Sequence, residues 1–156
     1  MKEYTTAVSG DYSPDKVTGA GVVFLARDTG RCLLQLRNSD KRFKHTWGFW
    51  GGMLENKETP YECIQRELME EIGLVPELTK LNPIDVYQSR NKKFYYYSFV
   101  YVTETEFMPV LNRESAGYCW VNIGVWPRPL HQGAFSTLEK NGGTEKIKRI
   151  LKIATT

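Results

Sequence analysis

The sequence predicts an α+β domain, a mixed β-sheet held between helices. Three observations carry that prediction. Short β-prone runs recur along the chain, bounded by Gly, Pro, Asn and Asp turn signals. One strongly patterned helix interrupts them near the middle. A further helical pattern closes the chain, so strands and helices alternate too unevenly for an all-β or all-α fold. At 156 residues the chain is long enough for one domain with a sizeable core and hardly long enough for two, so residues 1–156 are read as a single domain.

Residues 1–16 are polar and turn-rich and read as an N-terminal arm or edge strand. Val17 to Arg27, with its GAGVVFLA run, reads as a buried strand. Asp28-Thr29-Gly30 turns the chain, and Cys32 to Arg37 returns as the second arm of a hairpin. Asn38 to Thr46 is a basic loop. Trp47-Gly48-Phe49-Trp50-Gly51-Gly52 then combines rings that can stack with glycines that let backbone approach a ligand. Arg37, Trp47 and Trp50 are the candidate substrate-binding positions, with Phe49 assigned to the core.

The helix follows. Thr59 is placed to cap it, Pro60 suits its first position, Glu62 completes a capping box, and Gly73 stops it. Tyr61, Ile64, Leu68 and Ile72 share one face by their three- and four-residue spacing. Glu67, Glu70 and Glu71 fall beside that stripe, within an arc of roughly 100°. Local rules disfavour this. Acids in the last turn oppose the helix dipole at roughly 0.3–1 kcal/mol each, and carboxylates about 6 Å apart in a cleft repel by roughly 3 kcal/mol. A solvated acidic face relieved by Arg66 is the plain alternative. A hard divalent cation such as Mg²⁺ or Mn²⁺ would instead turn repulsion into attraction.

Beyond the helix, Ile84 to Ser89 alternates as a strand, Arg90 to Lys93 is a basic hairpin tip, and Phe94 to Thr103 is strongly β-prone. Met108 to Ser115 is a loop carrying Glu114, and Gly117 to Asn122 is another strand. Ala134 to Lys140 reads as a short helix, and Thr144 is placed to cap a last helix over residues 144–154.

The net charge of +3 is mild and does not argue for nucleic acid, which is not the expected partner. No apolar run approaches the ~20 residues needed to span a bilayer, so no membrane partner is expected. Cys32, Cys63 and Cys119 read as buried free thiols of a cytoplasmic protein, and His45 and His131 are isolated, so no zinc-type cluster is expected.

Between Gly52 and Leu74 the chain resembles the Nudix box. Gly52, Glu58, Arg66, Glu67, Leu68, Glu70, Glu71, Gly73 and Leu74 match its fixed positions over 23 residues. Weaker likeness runs from about Val17 to Trp120. Trp50 stands where the family often carries proline. The resemblance implies an α/β/α sandwich and an enzyme, a pyrophosphohydrolase using Mg²⁺ or Mn²⁺ on Glu67, Glu70 and Glu71 with the Gly51 carbonyl. It implies supporting positions at Gly52 and Glu58, an orienting role for Arg66, and a general base that is either Glu67 or Glu114. The expected substrate is a small-molecule nucleotide, first a nucleoside diphosphate derivative such as ADP-ribose. A nucleoside triphosphate is the runner-up, and a catalytically silent nucleotide sensor is a third reading that the intact acids oppose. Many relatives dimerise, so a homodimer is left open.

Overall fold

A computed structural model describes residues 17–38, 44–74 and 76–156. The expected arm over residues 1–16 and the basic positions Lys41 and Arg42 lie outside these residues. Strand β1 (Val17–Ala26) is the centre of the sheet. Along its whole length it pairs in parallel with β6 (Phe94–Thr103), from Val17 opposite Phe94 to Ala26 opposite Thr103. Its other edge is divided. Phe24 and Leu25 pair antiparallel with β2 (Arg31–Arg37), while Gly19 to Val22 pair antiparallel with β4 (Trp50–Met53). The short β3 (Trp47–Gly48) and β7 (Ser115–Asn122) flank β2, and β5 (Leu81–Gln88) closes the far side against β6.

Alternation along these strands sorts side chains into two cores. Ala20, Val22 and Phe24 join Tyr97, Phe99 and Tyr101 beneath helix α1 (Pro60–Ile72), which inserts Ile64, Leu68 and Ile72. Val23, Leu25 and Val100 face the other way, against Ala134, Leu138 and Ile147. Those three come from α2 (Gln132–Phe135, continued as a wider π-type turn over Ser136–Lys140) and α3 (Gly143–Ala154). The expected layering of helix, mixed sheet and helices is therefore present. Ile64 and Leu68 are fully buried, each contributing roughly 1.5–3 kcal/mol of transfer free energy.

The ends of α1 follow its local sequence. Thr59 Oγ1 accepts from the Glu62 N–H at 3.1 Å, the Glu62 carboxylate accepts from the Thr59 N–H at 2.9 Å, and Gly73 ends the helix at φ +70°. The last helices differ from expectation. The helix expected over Ala134 to Lys140 begins earlier, at Gln132, capped by His131, whose Nδ1 accepts from the Gly133 N–H at 3.0 Å. Gly142, at φ +78°, precedes α3, because Thr144 is used elsewhere: its hydroxyl donates to the Leu138 carbonyl and accepts from Trp126 Nε1. Cys32 and Cys63 are buried free thiols, pushed up to about 12 by burial, whereas Cys119 is only half-buried. No helix among the described residues is long and apolar enough to cross a membrane.

Candidate active site

The site begins where α1 crosses β4. Glu67 and Glu71 are one turn apart and face the sheet, at 7 % and 0 % exposure, while the Glu70 side chain remains 54 % exposed. Two glycines make room for them. A Cβ at position 52 would lie 2.3 Å from Glu67 Oε1, so only glycine lets the carboxylate settle there. Gly51 adopts φ +150°, a Cβ there would strike the Ala20 carbonyl at 2.1 Å, and its N–H donates to Glu71 Oε1 at 2.9 Å. Burying two carboxylates is unfavourable unless donors meet them; the β4 backbone and Arg66 supply those donors.

Arg66 is the organiser of this edge. Its Nε and Nη2 grip Glu58 in a two-point bond at 2.7 and 2.9 Å, and its Nη1 reaches Glu67 at 3.1 Å and Glu70 at 3.2 Å. Nη2 also donates to the Met53 carbonyl. These hydrogen bonds hold the Glu58 carboxyl below its ordinary range and push the Arg66 guanidinium up, so both stay charged.

The cleft beside this edge has a volume of about 890 Å³. Glu67, Gly51 and Gly52 line one end. Arg37, Glu114 and the His131 to Ala134 segment line its walls, Tyr87, Ser89, Asn91, Lys93 and Phe94 line the end formed by the β5–β6 hairpin, and Tyr96 reaches from that hairpin toward Gly51. Tyr96 lies over Gly19 and Gly21 of β1, where an added Cβ would fall 2.9 Å from its ring at the first and 2.0 Å from its hydroxyl at the second. Burial, followed by the nearby Cys63 and Glu71, pushes its phenol up and keeps it protonated. His131 is pushed down to about 4 by burial and by the Arg37 charge, so the imidazole is neutral at physiological pH. Because its Nδ1 accepts a hydrogen bond, its proton is assigned to Nε2.

Glu114 reaches the cleft through a clamp. Asn112 donates to the Glu70 carbonyl at 2.8 Å and accepts from the Glu114 N–H at 2.8 Å, tying the acid-bearing loop to the last turn of α1.

The NUDIX domain model matches residues 15–140. The chain belongs to the Nudix family. It is 50% identical over 42 residues to an RNA pyrophosphohydrolase of Psychromonas ingrahamii (strain DSM 17664 / CCUG 51855 / 37), a match covering 26% of this chain and 23% of that protein. The chain thus matches about a quarter of that curated relative. Among solved structures, the MutT protein from Methanosarcina mazei Go1 superposes with a TM-score of 0.64 at 21% identity, covering 90% of this chain and 99% of that one. The MutT NUDIX hydrolase from Burkholderia pseudomallei superposes at 0.63 and 22% identity, covering 80% and 97%. At these identities the likeness is one of fold.

Within this Nudix domain the box residues meet as the spacing predicts in some respects and depart from it in others. Glu67, Glu71, Gly51 and Gly52 come together, and Arg66 hydrogen-bonds to Glu67 and Glu70. Glu58 is a partner of Arg66. However, among the described residues no three His, Cys, Asp or Glu side chains converge into a ready-made metal cluster. Glu70 is drawn to Arg66 at the rim, so the acids form a pair with an outlier, not three equivalent ligands.

The aromatic assignment needs correction. Trp50 is fully buried, packs edge-on against Phe24 at 6.4 Å and donates to the Leu33 carbonyl; it belongs to the core and does not line the cleft. Trp47 pairs its backbone with Pro129 and His131 and packs on the α2 side of the sheet, outside the cleft lining. Arg37 does line the cleft. Its accessible rings are Tyr87, Phe94 and Tyr96, which a period-two reading of FYYYSFVYVT could have separated by face, since residues 94 and 96 share one side. His131 and Asn112 carried no local signal.

Proposed function

We propose that the protein is a divalent-metal-dependent pyrophosphohydrolase that cleaves the P–O–P linkage of a nucleoside diphosphate derivative. The observation that carries this reading is one cleft with an acid edge at one end, Glu67 over Gly52, and an aromatic shelf at the other. Carboxylates of Glu67 and Glu71, the exposed Glu70 and the Gly51 carbonyl offer hard oxygen donors suited to Mg²⁺ or Mn²⁺. Gly52 lets the Glu67 carboxylate lie directly against the β4 backbone, next to Gly51. A cation held by these groups would neutralise diphosphate charge and polarise phosphoryl oxygens.

The protein's own groups do the rest. Arg66 donates to Glu67 and aims it, and Arg37 sets a positive charge on the wall facing the phosphates. Water attacks one phosphorus in line, forming a P–O bond as the bridging P–O bond breaks. Its proton passes to a cleft carboxylate, Glu67 or Glu114, both of which line the space. The departing phosphate leaves as an anion. Adenine-containing ADP-ribose is the member of the class expected from sequence.

A second reading is release of pyrophosphate from a triphosphate, including a nucleoside triphosphate. It is favoured by the 42-residue likeness to an RNA pyrophosphohydrolase. A panel of nucleoside diphosphate derivatives and triphosphates, incubated with Mg²⁺ or Mn²⁺ and read by product mass, tests both. Hydrolysis at a P–O–P bond is expected; failure of every substrate to turn over with either metal overturns the assignment.

A further inference from the structure

The β5–β6 hairpin brings aromatic rings and side-chain donors to one end of the cleft. Phe94 and Tyr96 lie side by side on β6, their centroids 6.3 Å apart and planes inclined by 28°, and Tyr87 flanks Phe94 at 6.2 Å. This is a shelf for a planar ring. Val17 is the β1 partner of Phe94, and Gly21 is the partner of Gly51. Four residues of strand at ~3.3 Å each place Phe94 about 13 Å from the level of the acid edge. That is the reach of a nucleotide whose base lies on the shelf and whose phosphates meet Glu67.

The hairpin tip decides which base. The Lys93 backbone N–H, which can only donate, points at the Asn91 side chain at 3.0 Å, so the atom it meets is the amide oxygen. Ser89 Oγ donates to the same oxygen at 2.7 Å and accepts from the Phe94 N–H at 3.0 Å. The Asn91 carbonyl is thus consumed within the turn, and its NH₂ is what remains to offer a ligand. The Lys93 ammonium beside it is also a donor. Both line the cleft next to Phe94, so the two side chains of the hairpin tip offer donors, while the Tyr87 hydroxyl below them can donate or accept.

We propose that this hairpin is a base-selecting subsite that favours a base carrying a carbonyl oxygen and a ring acceptor on one edge, a 6-oxopurine, over adenine. A lysine or amide donor pair matches the O6 and N7 acceptors of such a base, whereas the adenine amine meets donors with a donor. The inference rests on the nucleotide reading of the cleft for its occupant, and it makes ADP-ribose the poorer member of the proposed substrate class.

Equilibrium binding of AMP, IMP and GMP to the full chain by calorimetry tests it, alongside turnover of ADP-ribose and its hypoxanthine and guanine counterparts. IMP and GMP are expected to bind roughly tenfold more tightly than AMP. Asn91→Asp keeps the acceptor that the turn uses and replaces the free NH₂ with an acceptor, so it should erase or invert that ratio. Lys93→Met should shrink it. The proposal is overturned if AMP binds as well as IMP, if none of the three binds, or if Asn91→Asp changes all three alike. Hydrolysis without base preference would leave the proposed activity standing and sink the subsite. Base-selective binding without hydrolysis would do the reverse.

Discussion

The acid edge of α1 and the aromatic shelf of the β5–β6 hairpin face one cleft, yet they are built differently. The acid edge is local. Arg66, Glu67, Glu70 and Glu71 lie within two turns of one helix whose caps are set by its own sequence. The shelf depends on register: Phe94 and Tyr96 reach the cleft because β6 runs parallel to β1 with Tyr96 opposite Gly19. The first is a set of charges held by one arginine, the second a set of rings held by strand pairing. Chemistry and recognition should therefore fail separately when each is perturbed.

The largest expected effect is on the acid edge. Glu67→Gln should lower kcat by about 10²–10⁴-fold if Glu67 takes the proton from water, with substrate binding largely kept. Glu114→Gln made in parallel decides between the two carboxylates, because the larger kcat loss identifies the base. Equal, small losses in both would break the assignment of chemistry to this end of the cleft.

Arg66→Ala comes next. It strands Glu58, Glu67 and Glu70 beside one another with the Arg66 side chain only 24 % exposed, and should cost about 2–4 kcal/mol in urea unfolding. The sign of its pH dependence follows from Glu58. Its folded pKa is depressed, so the stabilisation is fully present above the unfolded carboxylate value of 4.5 and is lost as pH falls through the folded value. The stability gap between wild type and Arg66→Ala should narrow on acidification below that point; a gap that widens there would refute the pairing.

The two aromatic positions then sharpen the contrast. Phe94→Leu should raise KM roughly tenfold with little loss of stability, through weaker stacking. Trp50→Phe should leave KM unchanged and cost about 1 kcal/mol from the lost hydrogen bond to Leu33. A KM effect at Trp50 would return that ring to the substrate. The smallest expected change is Thr59→Ala, which removes one arm of the capping box and should destabilise by ~1 kcal/mol without altering kcat/KM.

The contrast also separates what local reading reached from what it missed. Strand and helix patterns and the α1 caps were legible because they rest on periodicity and on residues within one turn of each other. The ring assignments were not. Trp50 and Phe94 both precede or begin β-prone segments, and composition does not say which ring meets the core. Burial is settled by which strand lies alongside, and β4 places Trp50 under α1 while β6 leaves Phe94 at the cleft. Thr144 misled for the same reason: a hydroxyl suited to capping α3 was engaged by Trp126 and Leu138 from other elements.

By itself the sequence determined α1, its capped ends, its apolar stripe and the family to which the acid edge belongs, because those features are written at helical spacing within one segment. Only the tertiary structure decided that Asn112 ties the Glu114 loop to α1, that His131 enters the cleft and that Phe94, not the tryptophans, lines it. Each of these depends on contacts between distant segments, where packing and hydrogen-bond satisfaction, not local preference, choose the partner.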